Sequence, residues 1–493
     1  MVEALWEAGS VLVDPVVILY VILGSAVGLV FGALPGLGGV VALSVMLPFT
    51  FGMEQVPAML FLAAIMGGVP FGGSISAILL NTPGTPPNAA TCFDGHPMAR
   101  AGEGNKAIGI AATSSALGAI FGLAVLVLAM PLVRRIVLLF GPPEFFMLVV
   151  FGLVLVALAT RGNMIRGLAA GGVGILISLV GYSEVFGTLR FTGGTEYLWD
   201  GIQLVPFVIG IFAVSELLNY AIRGGKIATK PVPSDDSPWD GVKAVWKHKR
   251  TFFRSSAVGT GIGIIPAVGG VVANFVAYTM AKRASKTPES FGTGNPDGVV
   301  APEAANNAKD GGALLPTVGF GIPGSPEMAV LLGGLVLHGL NPGPFLVKDH
   351  MEIVFALVLG LLISNIIAAF SGLMLRNYIA KLAFINVSYI IPVVLVLCFV
   401  GAYTLRSNIW DVGLVIIFGL VGYGFSRYGF PNISLIIGFV LGILAERAFY
   451  QSLQISDGDY TIFVTEPISL VLVILLVAVF LLPAAKRRLG KGR

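Results

Sequence analysis

Long apolar runs, punctuated by glycine and proline rather than by charge, dominate the chain. Residues 107–133, 146–160, 353–375, 383–405 and 467–485 contain no Asp, Glu, Lys or Arg. A bilayer-spanning helix needs roughly 20 such residues. The runs do not alternate, and backbone groups in lipid must pair internally, so they predict helices rather than an outer-membrane barrel. Residues 16–53 are also uncharged. As one helix they would extend about 57 Å, too far for one crossing. Pro35 lacks a donor, and Gly36, Gly38 and Gly39 permit unusual backbone angles, so a break is expected near 34–39. Residues 55–93 carry no charge yet contain Asn81-Thr82-Pro83-Gly84-Thr85-Pro86-Pro87. Prolines this dense cannot sit in a continuous helix, and they push their predecessors to extended backbone. This run predicts the turn of a helical hairpin near 71–90.

Both features recur. Residues 34–42 read LPGLGGVVA and residues 265–273 read IPAVGGVVA. Gly28 and Gly32 precede the first as Gly259 and Gly263 precede the second. Residues 81–86 read NTPGTP and 321–326 read GIPGSP, after Gly72-Gly73 and Gly311-Gly312 respectively. Matched motifs in the same order predict internal duplication, with a second hairpin near 309–328.

Charge supplies sidedness. The chain is 56% hydrophobic and 11% charged, with a net charge of +4. Soluble domains carry about 25% charged residues, so a water-soluble fold is excluded. The basic residues sit at segment ends and do not point to nucleic acid. Segment 223–254 holds Arg223, Lys226, Lys230, Lys243, Lys247, Lys249, Arg250 and Arg254, and the tail holds Lys486, Arg487, Arg488, Lys491 and Arg493. Both should be cytoplasmic. The base-free start, Met1 to Pro15, should be external, and it lacks the positive region of a cleavable signal. These ends require an odd number of crossings, roughly 9 to 13 by hydrophobic length. The two copies therefore begin on opposite sides, as in inverted-topology repeats. Lys282, Arg283 and Lys286 conflict with this if 255–281 crosses as one helix. The expected fold class is an all-α polytopic membrane protein of two inverted-topology repeats with broken helices and re-entrant hairpins. Residues 1–222 form the first repeat, 223–254 a basic linker with a surface helix near Trp239–Lys249, and 255–380 the second repeat core. Residues 381–493 form C-terminal helices and a basic tail.

The candidate chemistry follows from the breaks. Irregular backbone at membrane depth is tolerated inside protein or beside a wet cavity, although a packing kink is the plainer alternative. A helix starting after the prolines offers free N–H groups and a positive dipole end to a carboxylate. Asn81, Thr82 and Thr85 add side-chain donors and acceptors, and Thr317, Gly321, Pro323, Gly324 and Ser325 form the counterpart. The candidate substrate site is Gly36, Gly38, Asn81, Thr82, Pro83, Gly84, Thr85, Gly321, Pro323, Gly324 and Ser325. Pro302-Glu303-Ala304-Ala305-Asn306-Asn307-Ala308-Lys309-Asp310 precedes the second hairpin. It reads either as a capped surface loop or as oxygen ligands; Asn81, Asn306 and Asn307 are the candidate Na⁺ ligands. His338 stands alone in an otherwise uncharged run and reads as structural before it reads as a proton relay. Cys92 and Cys398 make no disulfide framework. There is no Walker A pattern, metal-spaced Cys/His set or nucleophile elbow, so neither an enzyme nor an ATP-driven pump is expected, and no cofactor beyond a coupling Na⁺ or H⁺.

Together, Gly32-Ala33-Leu34-Pro35-Gly36-Leu37-Gly38, the NTPGTP run, Pro302–Ala308 and Gly321-Ile322-Pro323-Gly324-Ser325 make the chain resemble the large TctA-type subunit of the tripartite tricarboxylate transporters. The resemblance covers essentially the whole length. It implies a bacterial inner-membrane importer of di- or tricarboxylates such as citrate, driven by an ion gradient. It also implies two partners: a periplasmic substrate-binding protein and a small four-helix membrane subunit. Which carboxylate and which ion are left open. A channel and a scaffold subunit without a path of its own are the alternatives.

Overall fold

The computed structural model describes residues 2–489 except 138, 160–163, 184, 224–235, 267, 383–384 and 386. Much of the basic linker, including Lys226 and Lys230, lies outside the described residues, as do Lys491 and Arg493. The chain divides into two compact units, Met1–Leu132 with Leu204–Gly424, and Val133–Gln203 with Phe425–Arg493.

The first unit opens with α1 (Val2–Ser10) and α2 (Pro15–Ala33). Asp14 caps α2 by accepting from the Val16 N–H, and Pro15 sits at the first helical position, where no donor is lost. The chain breaks at 34–37 and continues as α3 (Gly38–Met46), α4 (Gln55–Leu80), α5 (Ala89–Met98) and α6 (Gly104–Val137). It passes through the second unit as α7 (Pro142–Ala159), α8 (Met164–Ser178) and an antiparallel hairpin of β1 (Gly181–Ser183) and β2 (Thr188–Arg190). The first unit resumes with α9 (Leu204–Ile222), α10 (Pro238–Lys247), α11 (Lys249–Gly263) and α12 (Gly269–Ala284). There follow α13 (Asp297–Phe320), α14 (Pro326–Leu337), α15 (Pro344–Asp349) and α16 (Met351–Leu382). After α17 (Val387–Arg406) and α18 (Ile409–Arg427), the second unit closes with α19 (Asn432–Ile455) and α20 (Pro467–Leu489).

Eight described helices are long and apolar enough to cross a membrane, and five shorter apolar helices accompany them. Leu19, Ile22 and Leu23 of α2, Ile366 and Phe370 of α16, and Val471 and Ile474 of α20 are exposed. Large apolar side chains in such numbers face lipid, not water. The chain is an all-α polytopic membrane protein. Its two-stranded hairpin is the only strand pairing among the described residues. Breaks divide several apolar runs into shorter helices, as at 34–37 between α2 and α3. Segment 255–281 is one of these: it separates into α11 and α12, so Lys282 and Arg283 end a short helix after a break.

The two sets of motifs make matched close contacts. α2 packs on α4 through glycines, since a Cβ on Gly28 would lie 2.1 Å from Ile65 O and one on Gly32 2.1 Å from Val69 O. α11 packs on α13 in the same way, since a Cβ on Gly259 would lie 2.3 Å from Ala305 O and one on Gly263 2.3 Å from Lys309 O. From the other side, a Cβ on Gly72 would lie 2.2 Å from Leu29 O and one on Gly312 2.1 Å from Thr260 O. A Cβ on Gly84 would lie 2.5 Å from Gly73 Cα, and one on Gly324 2.6 Å from Ala313 Cα. Small residues allow the backbones this approach, which is how helices gain dispersion contacts where lipid removes the hydrophobic drive. The contacts also shift one alignment by a residue: Gly72 corresponds to Gly312, and Gly73 to Ala313. The outer helices are exchanged. α6 lies on α13 of the other copy (Gly118 at Ala304 O, Gly122 at Ala308 O), and α16 lies on α4, where Ser364 Oγ donates to Ala64 O.

In the second unit, a Cβ on Gly174 would lie 2.0 Å from Leu435 O and one on Gly438 2.0 Å from Gly171 O, so glycines let α8 and α19 pack closely. Arg190 at the end of β2 makes a bidentate pair with Glu446 of α19 (2.6 and 2.9 Å).

Candidate translocation site

The first break and the first hairpin tip are joined by backbone. Gly36, at φ +88°, donates its N–H to Gly84 O at 3.1 Å. Gly84 N–H donates in turn to Gly73 O at 3.3 Å. A Cβ on Gly84 would lie 1.9 Å from Gly32 O, and one on Gly36 would overlap the Tyr220 hydroxyl. Gly38, at φ +56°, faces the Thr85 methyl. Only glycine meets both demands at Gly36, a left-handed backbone and no room for a side chain.

Asn81 ends α4 in the left-handed region (φ 51°) and is exposed, while Gly321 ends α13 likewise (φ 69°) and is buried. Beyond Gly321, Gly324 N–H donates to Thr317 Oγ1 at 3.2 Å. Ser325 caps α14 by accepting from Met328 N–H at 3.3 Å, with Pro326 in the first turn. Pro323 is buried and Pro83 half-buried.

The two copies then meet each other. A Cβ on Gly39, in the first break, would lie 3.1 Å from Glu327 Cγ beside the second tip. A Cβ on Gly270, in the second break, would lie 3.0 Å from Pro87 Cγ at the first tip and 2.5 Å from Lys309 Cε. Asn274 Nδ2 of α12 donates to Pro87 O at 2.9 Å. Both breaks and both tips thus converge at one junction.

Behind the junction lies a buried polar helix face. Glu303, fully buried on α13, accepts from Ser74 (2.7 Å), Ser115 (2.9 Å) and Thr91. Asn88 donates to Ser74 Oγ at 2.9 Å and accepts from Thr85, so the first tip connects through two side chains to Glu303. One turn on, Asn307 donates to Asn365 Oδ1 of α16. Lys309 pairs with Asp310, and both are buried. Asn307 Oδ1 and Asp310 Oδ2 are buried without a hydrogen-bond partner, and these are the oxygens that could hold a monovalent cation. Asp94 fixes the entry to α13 by accepting from the N–H groups of Gly292, Gly294 and Asn295 at 2.8 to 2.9 Å.

Of the residues singled out from sequence, Gly36, Gly38, Gly84 and Thr85 are brought together at the first tip, and Gly321, Pro323, Gly324 and Ser325 form the second. The hydroxyls are largely engaged: Thr82 donates to Leu80 O and Thr317 to Ala313 O. The three asparagines proposed for Na⁺ divide, with Asn81 exposed at a helix end and Asn306 and Asn307 buried within α13. Pro302–Asp310 is neither a surface loop nor a lead-in to the hairpin. It is the buried middle of α13, which runs on through Pro302 and Pro316 to the left-handed Gly321. His338 caps the end of α14 and contacts Thr50 Oγ1 at 3.0 Å. Sequence reasoning missed Asn88, Glu303 as a hydroxyl-bound carboxylate, Lys309 and Glu327. A signal was present for α13: Glu303, Asn306, Asn307 and Asp310 recur at helical spacing, a polar stripe on one face.

The model of the family described as "Tripartite tricarboxylate transporter TctA family" matches residues 18–437. An Agrobacterium vitis protein, "Uncharacterized 52.8 kDa protein in TAR-I ttuC' 3'region", is 33% identical over 491 residues, covering 97% of this chain and 95% of that protein. A second from the same organism, "Uncharacterized protein in TAR-II ttuC' 3'region", is 34% identical over 211 residues, covering 43% of this chain and 87% of that protein. No solved structure matches. By the extent of the family match and of the full-length relative, the chain belongs to the tripartite tricarboxylate transporter TctA family.

Proposed function

We propose that this chain is the translocation subunit of an ion-gradient-driven importer of di- or tricarboxylates in the bacterial inner membrane. The observation that carries this reading is the convergence of two glycine-rich breaks and two hairpin tips on one junction, Gly36 to Gly84, Gly270 to Pro87 and Gly39 to Glu327. Irregular backbone at this depth suits a substrate path, and paired broken helices are where secondary transporters bind. The two copies run in opposite senses across the bilayer, and movement of one hairpin-bearing body relative to its surroundings alternates access. A periplasmic binding protein delivers the carboxylate, and a small membrane subunit pairs with this one. Na⁺ or H⁺ drives uptake.

The test is uptake of radiolabelled citrate, succinate and malate into membrane vesicles containing the complete three-component system, with imposed Na⁺ or H⁺ gradients. Accumulation against a concentration gradient, collapsing when the ion gradient is removed, is expected. Flux that follows only the carboxylate gradient would identify a channel. Unaltered uptake on deleting this chain would identify a scaffold.

A further inference from the structure

Three threonine hydroxyls near the tips are poorly placed to hold an anion, because their protons are already directed elsewhere. Thr82 donates to Leu80 O at 3.2 Å, Thr85 to Asn88 Oδ1, and Thr317 to Ala313 O at 2.6 Å. A full positive charge is close by. Lys309 is 6% exposed and is the one buried Lys or Arg among the described residues. Its Cε fills the space a Gly270 side chain would take, in the second break, next to Pro87 of the first tip. Its ammonium is bound to the Asp310 carboxylate, whose Oδ2 has no partner. Glu327, over Gly39 in the first break, acts electrostatically on both Lys309 and Asp310.

We propose that Lys309 binds a carboxylate of the transported anion, and that Asp310 occupies that place when no substrate is bound. This inference rests on the proposed transport of carboxylates and names the group that recognises them. A carboxylate substrate offers Lys309 what Asp310 already offers: two oxygens in a plane, in a site that excludes water. Exchange of one for the other costs Lys309 nothing in pairing. It does leave Asp310 as a buried anion without its cation, beside Glu327, and an uncompensated buried charge is strongly unfavourable. A monovalent cation, Na⁺ or H⁺, must then accompany the substrate to Asp310, whose Oδ2 is already free to receive it. The pair Lys309–Asp310 thereby ties anion binding to cation binding, and a ligand shifts the equilibrium only through such differential interactions.

Uptake of radiolabelled citrate, succinate and malate is measured in cells that express the complete three-component system and lack other carboxylate uptake. The variants are Lys309→Gln, Asp310→Asn and the double variant, each purified to verify a monodisperse complex. Lys309→Gln is expected to lower kcat/KM on the order of 100-fold, as for truncation of one partner of a buried charge pair. Asp310→Asn is expected to bind substrate but to lose dependence on the imposed Na⁺ or H⁺ gradient. The double variant decides between roles, since it restores charge balance without a cation for the substrate. A folded and inactive double variant supports the assignment. Recovered uptake in the double variant would make the pair purely structural and overturn it, as would near-normal uptake by Lys309→Gln or retained gradient dependence in Asp310→Asn. If the wild-type system takes up none of the three anions, carboxylate transport itself fails; if it takes them up and Lys309→Gln does too, only this inference fails.

Discussion

Asn307 of α13 donates its side-chain amide to Asn365 Oδ1 of α16, deep in the first unit. Asn365 also borders the matching position of the first copy, where a Cβ on Gly67 would lie 3.0 Å from its Nδ2. One side chain therefore reports on both copies at equivalent places. Replacing Asn365 with Ala removes the partner of a buried donor whose own Oδ1 is already unpaired. The expected cost is about 2 kcal/mol. Removing both amides by Asn307→Ala and Asn365→Ala should cost less than the sum of the single changes, because no donor is then left unmatched. Thermal unfolding of the four proteins in detergent measures the coupling; strict additivity would refute it.

The two tips make different demands on their glycines. Gly324→Ala would place a methyl 2.6 Å from Ala313 Cβ, which can be trimmed, and 2.6 Å from Ala313 Cα and 2.8 Å from its carbonyl oxygen, which cannot. Gly84→Ala would place it 1.9 Å from Gly32 O, a backbone atom that cannot. Each single change should destabilise by about 1–3 kcal/mol and reduce uptake. Ala313→Gly should rescue Gly324→Ala only in part, because the Ala313 Cα and carbonyl stay in place, and no trimming of a side chain at the first tip should rescue Gly84→Ala. Equal rescue at both tips would show that the packing described here does not set the glycine requirement.

How much of this was legible beforehand depends on what kind of signal each residue carries. Breaks and tips were readable because proline and glycine act locally: Pro35 removes a donor whatever surrounds it, and Gly84 sits between prolines in any fold. The matched glycines were readable because their contacts are against backbone, as at Gly28 and Gly259, which leaves the same letters in both motif sets. Lys309 and Glu303 were not readable as buried groups. Their burial depends on α6 and α4 folding over α13, with Ser115 and Ser74 arriving from helices remote in sequence. Charge in a short polar stretch suggests a loop until such partners are known. Nor did any local rule assign Glu327 to the first break, since its contact with Gly39 joins opposite copies.

Glu303 offers a test of the buried carboxylate itself. Three hydroxyls, from Ser74, Thr91 and Ser115, donate to it. Glu303→Gln keeps the shape and one acceptor oxygen, and the hydroxyls at the lost oxygen can rotate to accept from the new amide. Glu303→Ala leaves all three hydroxyls without that acceptor and opens a cavity. Losses of about 1 kcal/mol and about 4 kcal/mol are expected. Melting temperatures should therefore fall in the order wild type, Gln, Ala. A Gln variant as unstable as the Ala variant would mean the ionised carboxylate, rather than the shape and hydrogen bonding, holds these helices together.

In the second unit, Arg190 and Glu446 fasten the β-hairpin to α19 through two parallel bonds of 2.6 and 2.9 Å. Their side chains are 22% and 14% exposed, between the surface pairs that contribute little and the buried pairs that cost most when broken. Arg190 also lies 5.9 Å from the centre of the Phe186 ring, which packs edge-on against Tyr450 of the same helix. Arg190→Lys keeps the charge but loses the planar fork, so about 1 kcal/mol should be lost. Arg190→Ala should lose about 2 kcal/mol, since Glu446 is then left half-buried without its partner. Exchanging the two residues, Arg190→Glu with Glu446→Arg, should recover part of this, and the recovery should shrink at high salt only slightly because the pair is partly shielded. Limited proteolysis within residues 185–200, measured beside the thermal midpoint, separates local release of the hairpin from global unfolding. If Arg190→Ala leaves cleavage there unchanged while lowering the midpoint, the pair stabilises α19 and does not fasten the hairpin.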